Sequence, residues 1–214
     1  MTQSKLNPAL SDTLGRMKIV PVLTIDNVDD AVPLARALLA GGLRAIEITL
    51  RTDAALDAIR AVSESVPDAF VGAGTILEPD DGAKAIAAGA RFLVSPGLSP
   101  RLVAAAETWR VPFLPGAVTA SEVMSLRDLG YRCLKFFPAE PSGGVPALKG
   151  LAAPISDVVF CPTGGIGPKN VADYLALNNV AAVGGSWVAP ADAIKARDWA
   201  RIEQSCRDAL AELA

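Results

Sequence analysis

The stretch RCLKFFPAE, residues 132–140, places a lysine inside an apolar run that has the composition of a strand. Burial between Leu134 and Phe136 would remove water from the amine of Lys135, and desolvation favours the neutral form of a lysine. A neutral amine is a nucleophile that condenses with a ketone to an iminium, which draws electrons from the neighbouring carbon–carbon bond. The position therefore predicts a lysine that forms a covalent intermediate with a keto substrate.

The sequence contains no histidine, although histidine is the residue that most often moves protons in enzymes. Zinc sites and metal-dependent aldolases depend on imidazole ligands, and serine–histidine–aspartate triads depend on an imidazole base. We therefore expect chemistry without a metal or an organic cofactor, in which a carboxylate transfers the proton. Glu47 is the candidate, because it interrupts the otherwise apolar run AIEITL at residues 45–50.

Eight apolar runs make up the framework of the chain, and glycine, proline or threonine separates each from an alanine- and leucine-rich segment. The runs cover residues 18–25, 45–50, 70–76, 91–97, 112–118, 132–138, 157–165 and 180–186. Eight strand–helix units predict an α/β protein of the (β/α)8 TIM-barrel class, with a single domain over residues 1–214. An extra N-terminal helix is predicted over 8–16 and a last helix over 191–213. An open doubly wound sheet is the alternative, but no G-x-G-x-x-G motif follows the first run.

The residues that interrupt the apolar pattern gather where the predicted strands end. In a barrel of this class, the carboxyl ends of the strands carry the catalytic groups. The interrupting residues include Glu47, Arg51, Thr75, Pro96, Lys135, Thr163, Gly164, Gly165, Gly184, Gly185 and Ser186. We therefore expect them to surround one site at the mouth of the barrel.

Strand alternation relates the two charged candidates to their neighbours. If Lys135 points into the barrel, Cys133 and Phe137 must point the same way, and if Glu47 points inward, so must Ala45. The two charges would then share the inner face, either as a structural ion pair or as an amine nucleophile with its acid–base partner. A closed barrel has no edge strand on which such a lysine could be solvated, which favours the functional interpretation.

Two glycine-rich turns suggest that the substrate carries a phosphate group. The motifs TGG at 163–165 and GGS at 184–186 follow the seventh and eighth predicted strands. Barrels often bind phosphate at these two strands through backbone N–H groups and a helix N-terminus. Glycine also closes turns for purely geometric reasons, but two such turns at these strands favour a phosphate site.

Composition narrows the range of partners and the compartment. A net charge of −3 gives no general attraction for nucleic acid or for acidic membrane surfaces. The N-terminal segment lacks the apolar core of a signal peptide, and no segment is long and apolar enough to span a bilayer. Cys133, Cys161 and Cys206 show no C-x-x-C spacing and favour reduced thiols, so we expect a cytoplasmic protein.

The chain resembles the 2-keto-3-deoxy-6-phosphogluconate (KDPG) aldolase family in a series of stretches between residues 41 and 187. These stretches are GGLRAIEITLRT, VGAGTI, LVSPG, FLPGAVT, LKFFPAE, FCPTGGI and VGGSW. The resemblance implies a Schiff-base aldolase that releases pyruvate and glyceraldehyde 3-phosphate from a phosphorylated keto-sugar acid. It also implies a homotrimer, with activity on 4-hydroxy-2-oxoglutarate as a second expectation.

Position by position, the resemblance implies roles for the catalytic residues and for those that hold pyruvate. Lys135 would form the Schiff base, and Glu47 would be the general acid and base. Arg51 and Thr75 would hold the pyruvate carboxylate. A guanidinium suits that task because it offers two parallel donors to a carboxylate.

The resemblance also implies which residues shape the rest of the pocket. Pro96 and Phe137 would line it, and Thr163 would help to set the stereochemical preference at the cleaved bond. The phosphate would lie among Gly164, Gly165, Gly184, Gly185 and Ser186.

Three other functions remain open at this point. An aldolase for the galacto epimer, 2-dehydro-3-deoxy-6-phosphogalactonate, would use the same groups. A phosphate-binding barrel that isomerises or epimerises a sugar phosphate would use Glu47 to shuttle a proton and Lys135 to stabilise an enediolate, without a covalent imine. A barrel that only binds a small molecule would bind pyruvate without turnover.

Overall fold

The computed structural model describes residues 2–213, and along them eight short strands alternate with helices. The strands are β1 (Ile19–Leu23), β2 (Ala45–Thr49), β3 (Phe70–Gly74), β4 (Leu93–Val94), β5 (Phe113–Leu114), β6 (Cys133–Phe136), β7 (Val159–Pro162) and β8 (Val183–Gly185). Each strand lies inside one of the eight predicted runs, which confirms their number and order. Every strand is shorter than its run, because the residues at the ends of the run already belong to the loops.

Helices follow the strands at the places where the sequence has its alanine- and leucine-rich segments. Within residues 2–213 they are α1 (Gln3–Met17), α2 (Val28–Ala40), α3 (Ala55–Ser65), α4 (Pro79–Ala87), α5 (Pro100–Ala106), α6 (Ala120–Asp128), α7 (Gly144–Ala152), α8 (Val171–Leu175), α9 (Ala191–Lys195) and α10 (Trp199–Ala211). Local capping sets several starts: the side chain of Thr119 accepts from Glu122 N–H while the Glu122 carboxylate accepts from Thr119 N–H. No helix within the described residues has both the length and the apolar character that a membrane-crossing segment needs.

The last helical segment differs from the prediction. The sequence predicts one helix over 191–213, whereas the structure has α9 and α10 with a break between them. Arg197 in the break has a φ of 54°, and the Asp198 side chain accepts a hydrogen bond from the backbone N–H of Arg201 at 3.1 Å. The single-helix prediction is wrong because Asp198 caps a new helix instead of continuing the old one, as short acidic side chains near free N–H groups do.

The strands form two parallel sheets that isolated bridges connect. Six strands pair in the order β5-β4-β3-β2-β1-β8, and β6 pairs with β7. A parallel bridge joins Gly116 to Lys135 on one side, and two more join Phe160 to Val180 and Thr163 to Gly184 on the other. The α/β class and the parallel arrangement are therefore confirmed, and the sheets meet at the strands that carry the candidate residues.

Alternate residues of each strand pack into two different cores. Ala45 and Cys133 belong to a small cluster that the strands share with Leu10 and Leu14 of α1. Leu134, together with Ile46, Ile48 and Phe136, belongs to the large cluster between strands and helices. This division is the one that strand alternation predicted, so Glu47 and Lys135 lie on the inner side with Ala45 and Cys133.

The amide side chains of α1 replace main-chain pairing between β5 and β6. Asn7 Nδ2 donates to the carbonyls of Phe113 and Cys133 at 2.8 and 2.7 Å, and Asn7 Oδ1 accepts from the N–H groups of Arg132 and Cys133, both at 2.8 Å. Gln3 Oε1 accepts from Phe113 N–H at 3.0 Å. The predicted N-terminal helix over 8–16 thus begins earlier, at Gln3, and its first two turns hold β5 and β6 together.

We expect Asn7→Ala to lower the free energy of unfolding by about 3 kcal/mol or more, because each buried backbone group left without a partner costs about 1–3 kcal/mol. Asn179→Ala is a matched control, since Asn179 is also buried and its Nδ2 makes one hydrogen bond, to Leu148 O at 2.9 Å. Its loss should be about 1–2 kcal/mol. Urea unfolding followed by circular dichroism measures both, and equal losses would contradict the clamping role of Asn7.

Candidate active site

A buried lysine and a buried glutamate meet between the two sheets. Lys135 Nζ on β6 lies 3.1 Å from Glu47 Oε1 on β2, and the two side chains are 7% and 4% exposed. Such a pair adds little to stability, because the cost of taking both charges out of water roughly cancels their attraction. The geometry instead suits proton exchange between an amine and a carboxylate, which requires direct hydrogen-bond contact.

The backbone of Lys135 is fixed from two sides. Its N–H donates to Pro115 O at 2.9 Å, and its carbonyl accepts from Ala117 N–H at 2.9 Å. On the other side, Lys135 pairs with Cys161 in the β6–β7 ladder. The amine lies 5.3 Å from the centre of the Phe137 ring, within the range of a cation–π contact. The lysine is therefore held on a rigid strand and not on a loop.

Glu47 occupies space that a glycine leaves open. Gly74, at the end of β3, has the Glu47 carboxylate where a Cβ would otherwise be, so a side chain at this position would overlap Oε1. In the β2–β3 ladder, Glu47 itself pairs with another glycine, Gly72. The Glu47 carboxylate occupies the space left at Gly74, whereas the space at Gly72 is filled by the Phe92 ring, so a side chain at either glycine of the strand segment GAG would overlap a neighbour.

Arg51 and Thr75 form a second polar pair at the ends of β2 and β3. Arg51 Nε donates to Thr75 Oγ1 at 3.1 Å, and within residues 2–213 the terminal nitrogens of the guanidinium make no hydrogen bond or ion pair. Thr75 has a φ of 62°, which is unusual for a β-branched residue and costs of the order of 1–3 kcal/mol. Strained residues of this kind collect at functional sites, and the guanidinium keeps its two terminal nitrogens available as parallel donors.

A cavity of about 240 Å³ opens beside Lys135 at the carboxyl ends of the strands. Eight of the residues predicted from the sequence line it. They are Arg51, Lys135, Phe137, Thr163, Gly164, Gly165, Gly185 and Ser186. Segments far apart in the chain thus meet at one opening, and two cationic side chains, Arg51 and Lys135, are part of its lining.

Four predicted residues, Glu47, Thr75, Pro96 and Gly184, do not line the cavity. Glu47 reaches the cavity through Lys135, and Thr75 reaches it through Arg51. Gly184 lies against the Thr163 side chain, which a Cβ at Gly184 would overlap. Pro96 is further away: its carbonyl packs against Gly116, which is bridged to Lys135.

The glycine turn after β7 needs its glycines for conformational reasons as well. Gly164 and Gly165 have φ values of 102° and 81°, in the left-handed region that disfavours other residues. The helices that follow the two glycine turns, α8 and α9, span only five residues each. The N-terminus of so short a helix contributes little electrostatic attraction for an anion. Any anion here would therefore be bound by N–H groups of the turns and by Ser186.

Cys161 is the other reactive side-chain type next to the pair. Burial raises its pKa to about 12, and the Glu47 carboxylate acts in the same direction, while Lys135 opposes both. Cys161 is therefore a neutral thiol at physiological pH, and a thiol is a poor nucleophile compared with a thiolate. Lys135 therefore remains the candidate nucleophile of the two.

Sequence reasoning missed three residues that line the cavity: Val22, Thr24 and Ile166. Thr24 Oγ1 lies 3.3 Å from Thr49 Oγ1, so it belongs to the polar surface at the end of β1. The sequence did contain a signal for Thr24, because it carries a hydroxyl group near the end of an apolar run. The two aliphatic residues carry no signal that distinguishes them from the core.

The family model described as KDPG and KHG aldolase matches residues 10–205 of the chain. Among curated proteins, the KHG/KDPG aldolase of Escherichia coli (strain K12) is 52% identical over 192 residues, which are 90% of either protein. The 2-dehydro-3-deoxy-phosphogluconate aldolase of Pseudoalteromonas atlantica is 49% identical over 203 residues, or 95% of this chain and 94% of that protein.

A solved structure has nearly the same fold. The KDPG aldolase of Legionella pneumophila superposes with a TM-score of 0.91 at 42% sequence identity, covering 93% of this chain and 97% of the other. That crystal structure contains pyruvate captured at low pH as a covalent carbinolamine intermediate. All eight strands lie within residues 10–205, the range that the family model matches.

We expect Gly74→Ala to lower the free energy of unfolding by about 1–3 kcal/mol, because the new methyl group must displace the buried Glu47 carboxylate. Gly97→Ala is the matched control, since a Cβ there would meet open space and its φ lies outside the left-handed region. That variant should be unchanged or more stable by up to about 1 kcal/mol. Urea denaturation measures the free energy of unfolding of both variants. A Gly74→Ala variant as stable as the control would mean that Gly74 does not confine the Glu47 carboxylate.

Proposed function

Because the chain belongs to the KDPG and KHG aldolase family, we propose that it is a class I aldolase in which Lys135 forms a Schiff base with the substrate. It cleaves 2-dehydro-3-deoxy-6-phosphogluconate to pyruvate and glyceraldehyde 3-phosphate. The observation that carries the proposal is the buried contact between Lys135 and Glu47 beside the cavity. The covalent pyruvate adduct in the Legionella relative supports the same chemistry.

The contact between the two side chains supports activation of the lysine by its partner. An amine must be neutral to attack a ketone. Transfer of a proton from Nζ to Oε1 across 3.1 Å yields a neutral amine and a neutral carboxyl group without displacing a heavy atom. The cavity beside Lys135 is small, and Phe137 and Ile166 form an apolar part of its lining.

Cleavage then follows in balanced steps. The amine of Lys135 attacks C2 of the substrate, and the carbinolamine loses its hydroxyl as water after Glu47 returns the proton. The Glu47 carboxylate takes the proton of the C4 hydroxyl, the C3–C4 bond breaks, and its electron pair forms the C2–C3 double bond of an enamine while the C=N pair moves onto nitrogen. The aldehyde leaves, Glu47 protonates the enamine at C3, and water hydrolyses the pyruvyl iminium to free Lys135.

Arg51 and Thr75 bind the carboxylate of the pyruvyl half in this proposal. The guanidinium offers its terminal nitrogens to two carboxylate oxygens, and its Nε is already held by Thr75. Thr75 therefore serves chiefly to orient the guanidinium. Binding at this end fixes C2 against Nζ and applies equally to every substrate that carries a 2-oxo acid group.

The other end of the cavity binds the phosphate. Gly164, Gly165, Gly185 and Ser186 line it, and Gly184 supports it from behind through Thr163. The turn glycines leave backbone N–H groups accessible, and Ser186 adds an exposed hydroxyl donor. Thr163 lies between this end and Lys135, which suits contact with the substituents of C4.

A second substrate is 4-hydroxy-2-oxoglutarate, because the E. coli relative is named for both activities. Since it lacks a phosphate, it would use the Arg51 end and the lysine but not the glycine turns. Isomerisation and binding without turnover are disfavoured, because neither needs the covalent adduct that a relative with this fold forms. A galacto preference is disfavoured as well, because the P. atlantica relative is named for the gluco substrate.

We also propose that residues 1–214 form one closed (β/α)8 barrel with an additional N-terminal helix, and that the enzyme is a cytoplasmic homotrimer. The bridges from Gly116 to Lys135 and from Thr163 to Gly184 support closure of the ring. The trimer is supported by the family resemblance. Free, buried thiols at all three cysteines support a reducing compartment.

The Schiff base can be tested directly. Incubation with pyruvate and borohydride should inactivate the enzyme and add one reduced pyruvyl group at Lys135, which peptide mass spectrometry would locate. Lys135→Met should abolish both turnover and labelling, whereas Lys169→Met, a change at an exposed lysine of a neighbouring loop, should affect neither. Labelling at another lysine would refute the assignment.

The phosphate end can be tested by removing one hydroxyl. Ser186→Ala should lower kcat/KM for the phosphorylated substrate by about 10- to 150-fold, because a hydrogen bond to a charged group contributes about 1.5–3 kcal/mol. The same variant should barely change kcat/KM for 4-hydroxy-2-oxoglutarate, and Ser125→Ala on α6 should change neither. Equal losses with the two substrates would argue against a phosphate at Ser186.

A further inference from the structure

A tyrosine and a glutamate outside the cavity connect the loops that follow β6 and β7. Tyr174 on α8 is fully buried, and its hydroxyl donates a hydrogen bond to Glu140 Oε1. Glu140 belongs to the connection between β6 and α7, the same connection that leaves the strand carrying Lys135. Burial and the neighbouring carboxylate raise the pKa of Tyr174 well above its usual value, so the phenol keeps its proton and remains a donor.

The side chain of Glu140 also packs directly against the glycine turn at residues 164–165. A Cβ on Gly165 would lie 2.6 Å from Glu140 Cγ and 2.7 Å from Glu140 Cβ, which is closer than real contacts allow. The Glu140 N–H donates to Gly164 O at 3.1 Å, and the preceding Ala139 N–H donates to Thr163 O at 2.8 Å. Main chain and side chain of Glu140 therefore both touch the turn that the proposed phosphate site uses.

The far side of the turn is held by Asn170. Its Nδ2 donates to Gly165 O at 3.1 Å, and its Oδ1 accepts from Gly167 N–H at 2.9 Å. Asn170 immediately precedes α8, so the turn, Asn170 and Tyr174 lie on one continuous segment. The hydrogen bond from Tyr174 back to Glu140 closes this segment into a loop around the turn.

We propose that Glu140 and Tyr174 are positioning residues that hold the Gly164–Gly165 turn and thereby set the affinity for the phosphate end of the substrate without touching it. This inference rests on the proposed function of that turn. Within the described residues, neither side chain hydrogen-bonds to Lys135 or Glu47. Their loss should therefore weaken binding of the phosphorylated substrate and leave the covalent chemistry intact.

Three variants separate the possible roles of this pair. Tyr174→Phe removes only the hydroxyl, Glu140→Ala removes the carboxylate and its methylenes, and Glu140→Gln keeps an oxygen that can accept the tyrosine hydrogen bond. Small displacements of binding groups commonly cost one to two orders of magnitude, so Tyr174→Phe and Glu140→Ala should raise KM for the phosphorylated substrate about 10-fold with kcat nearly unchanged. Glu140→Gln should stay within about 3-fold of the parent, because the hydrogen bond persists.

Two features distinguish positioning from general damage to the fold. KM for 4-hydroxy-2-oxoglutarate and the rate of pyruvate trapping by borohydride should remain within about 2-fold in every variant, since neither involves a phosphate. Because the two residues act through one bond, the Tyr174→Phe, Glu140→Ala double variant should lose little more than Glu140→Ala alone. Tyr131→Phe is the matched control, as Tyr131 is equally buried and its hydroxyl has no partner within residues 2–213.

The inference is overturned if both substrates lose equally, if Glu140→Ala and Tyr174→Phe leave KM for the phosphorylated substrate unchanged, or if the single losses add in the double variant. Failure of the proposed function looks different, because the parent enzyme itself would then neither trap pyruvate nor cleave the phosphorylated substrate. A parent that is active while the variants behave as described supports the positioning role.

Discussion

The buried contact between Lys135 and Glu47 is the constraint that the rest of the site must satisfy. Removing either partner from such a pair typically costs about 3–5 kcal/mol, because the remaining charge has no compensation. Since the two side chains are only 7% and 4% exposed, water would solvate the separated charges poorly if the two moved apart. The strands that carry them belong to different sheets, so the relative position of the sheets must be fixed by other contacts.

Those contacts act at both ends of β6. At the carboxyl end, main-chain hydrogen bonds to Pro115 and from Ala117 hold Lys135 itself. At the amino end, regular pairing with β5 is absent within the described residues, and the Asn7 amide supplies four hydrogen bonds instead. A helix that precedes the first strand thus contributes to the position of a residue more than a hundred places later. The glycine at position 74 completes the arrangement by leaving room for the carboxylate.

Much of this could be predicted from sequence, and what could not has a physical reason. Lys135 and Glu47 stand out because a charge inside an apolar strand needs a partner, and alternation places both on one face. The strained φ of Thr75 could not be predicted, since threonine is common at strand ends and nothing in the sequence marks this one. Asn7, Glu140 and Tyr174 act through contacts between distant segments, and polar residues at such positions look the same as solvated ones. The break before Asp198 was missed because one cap is a weak signal inside a long helical pattern.

The two ends of the cavity are built differently, and the difference matters for how the site could change. Lys135 and Glu47 project from strands, where neighbouring ladders fix the backbone and small errors in distance are suppressed. Gly164, Gly165 and Ser186 lie on loops, whose geometry depends on a few side-chain contacts. A substitution in the loops can alter which substituent is bound at the distal end without moving the amine or the carboxylate. In the proposed mechanism, the chemical step and the choice of substrate are therefore under separate structural control, with the strands determining the first and the loops the second.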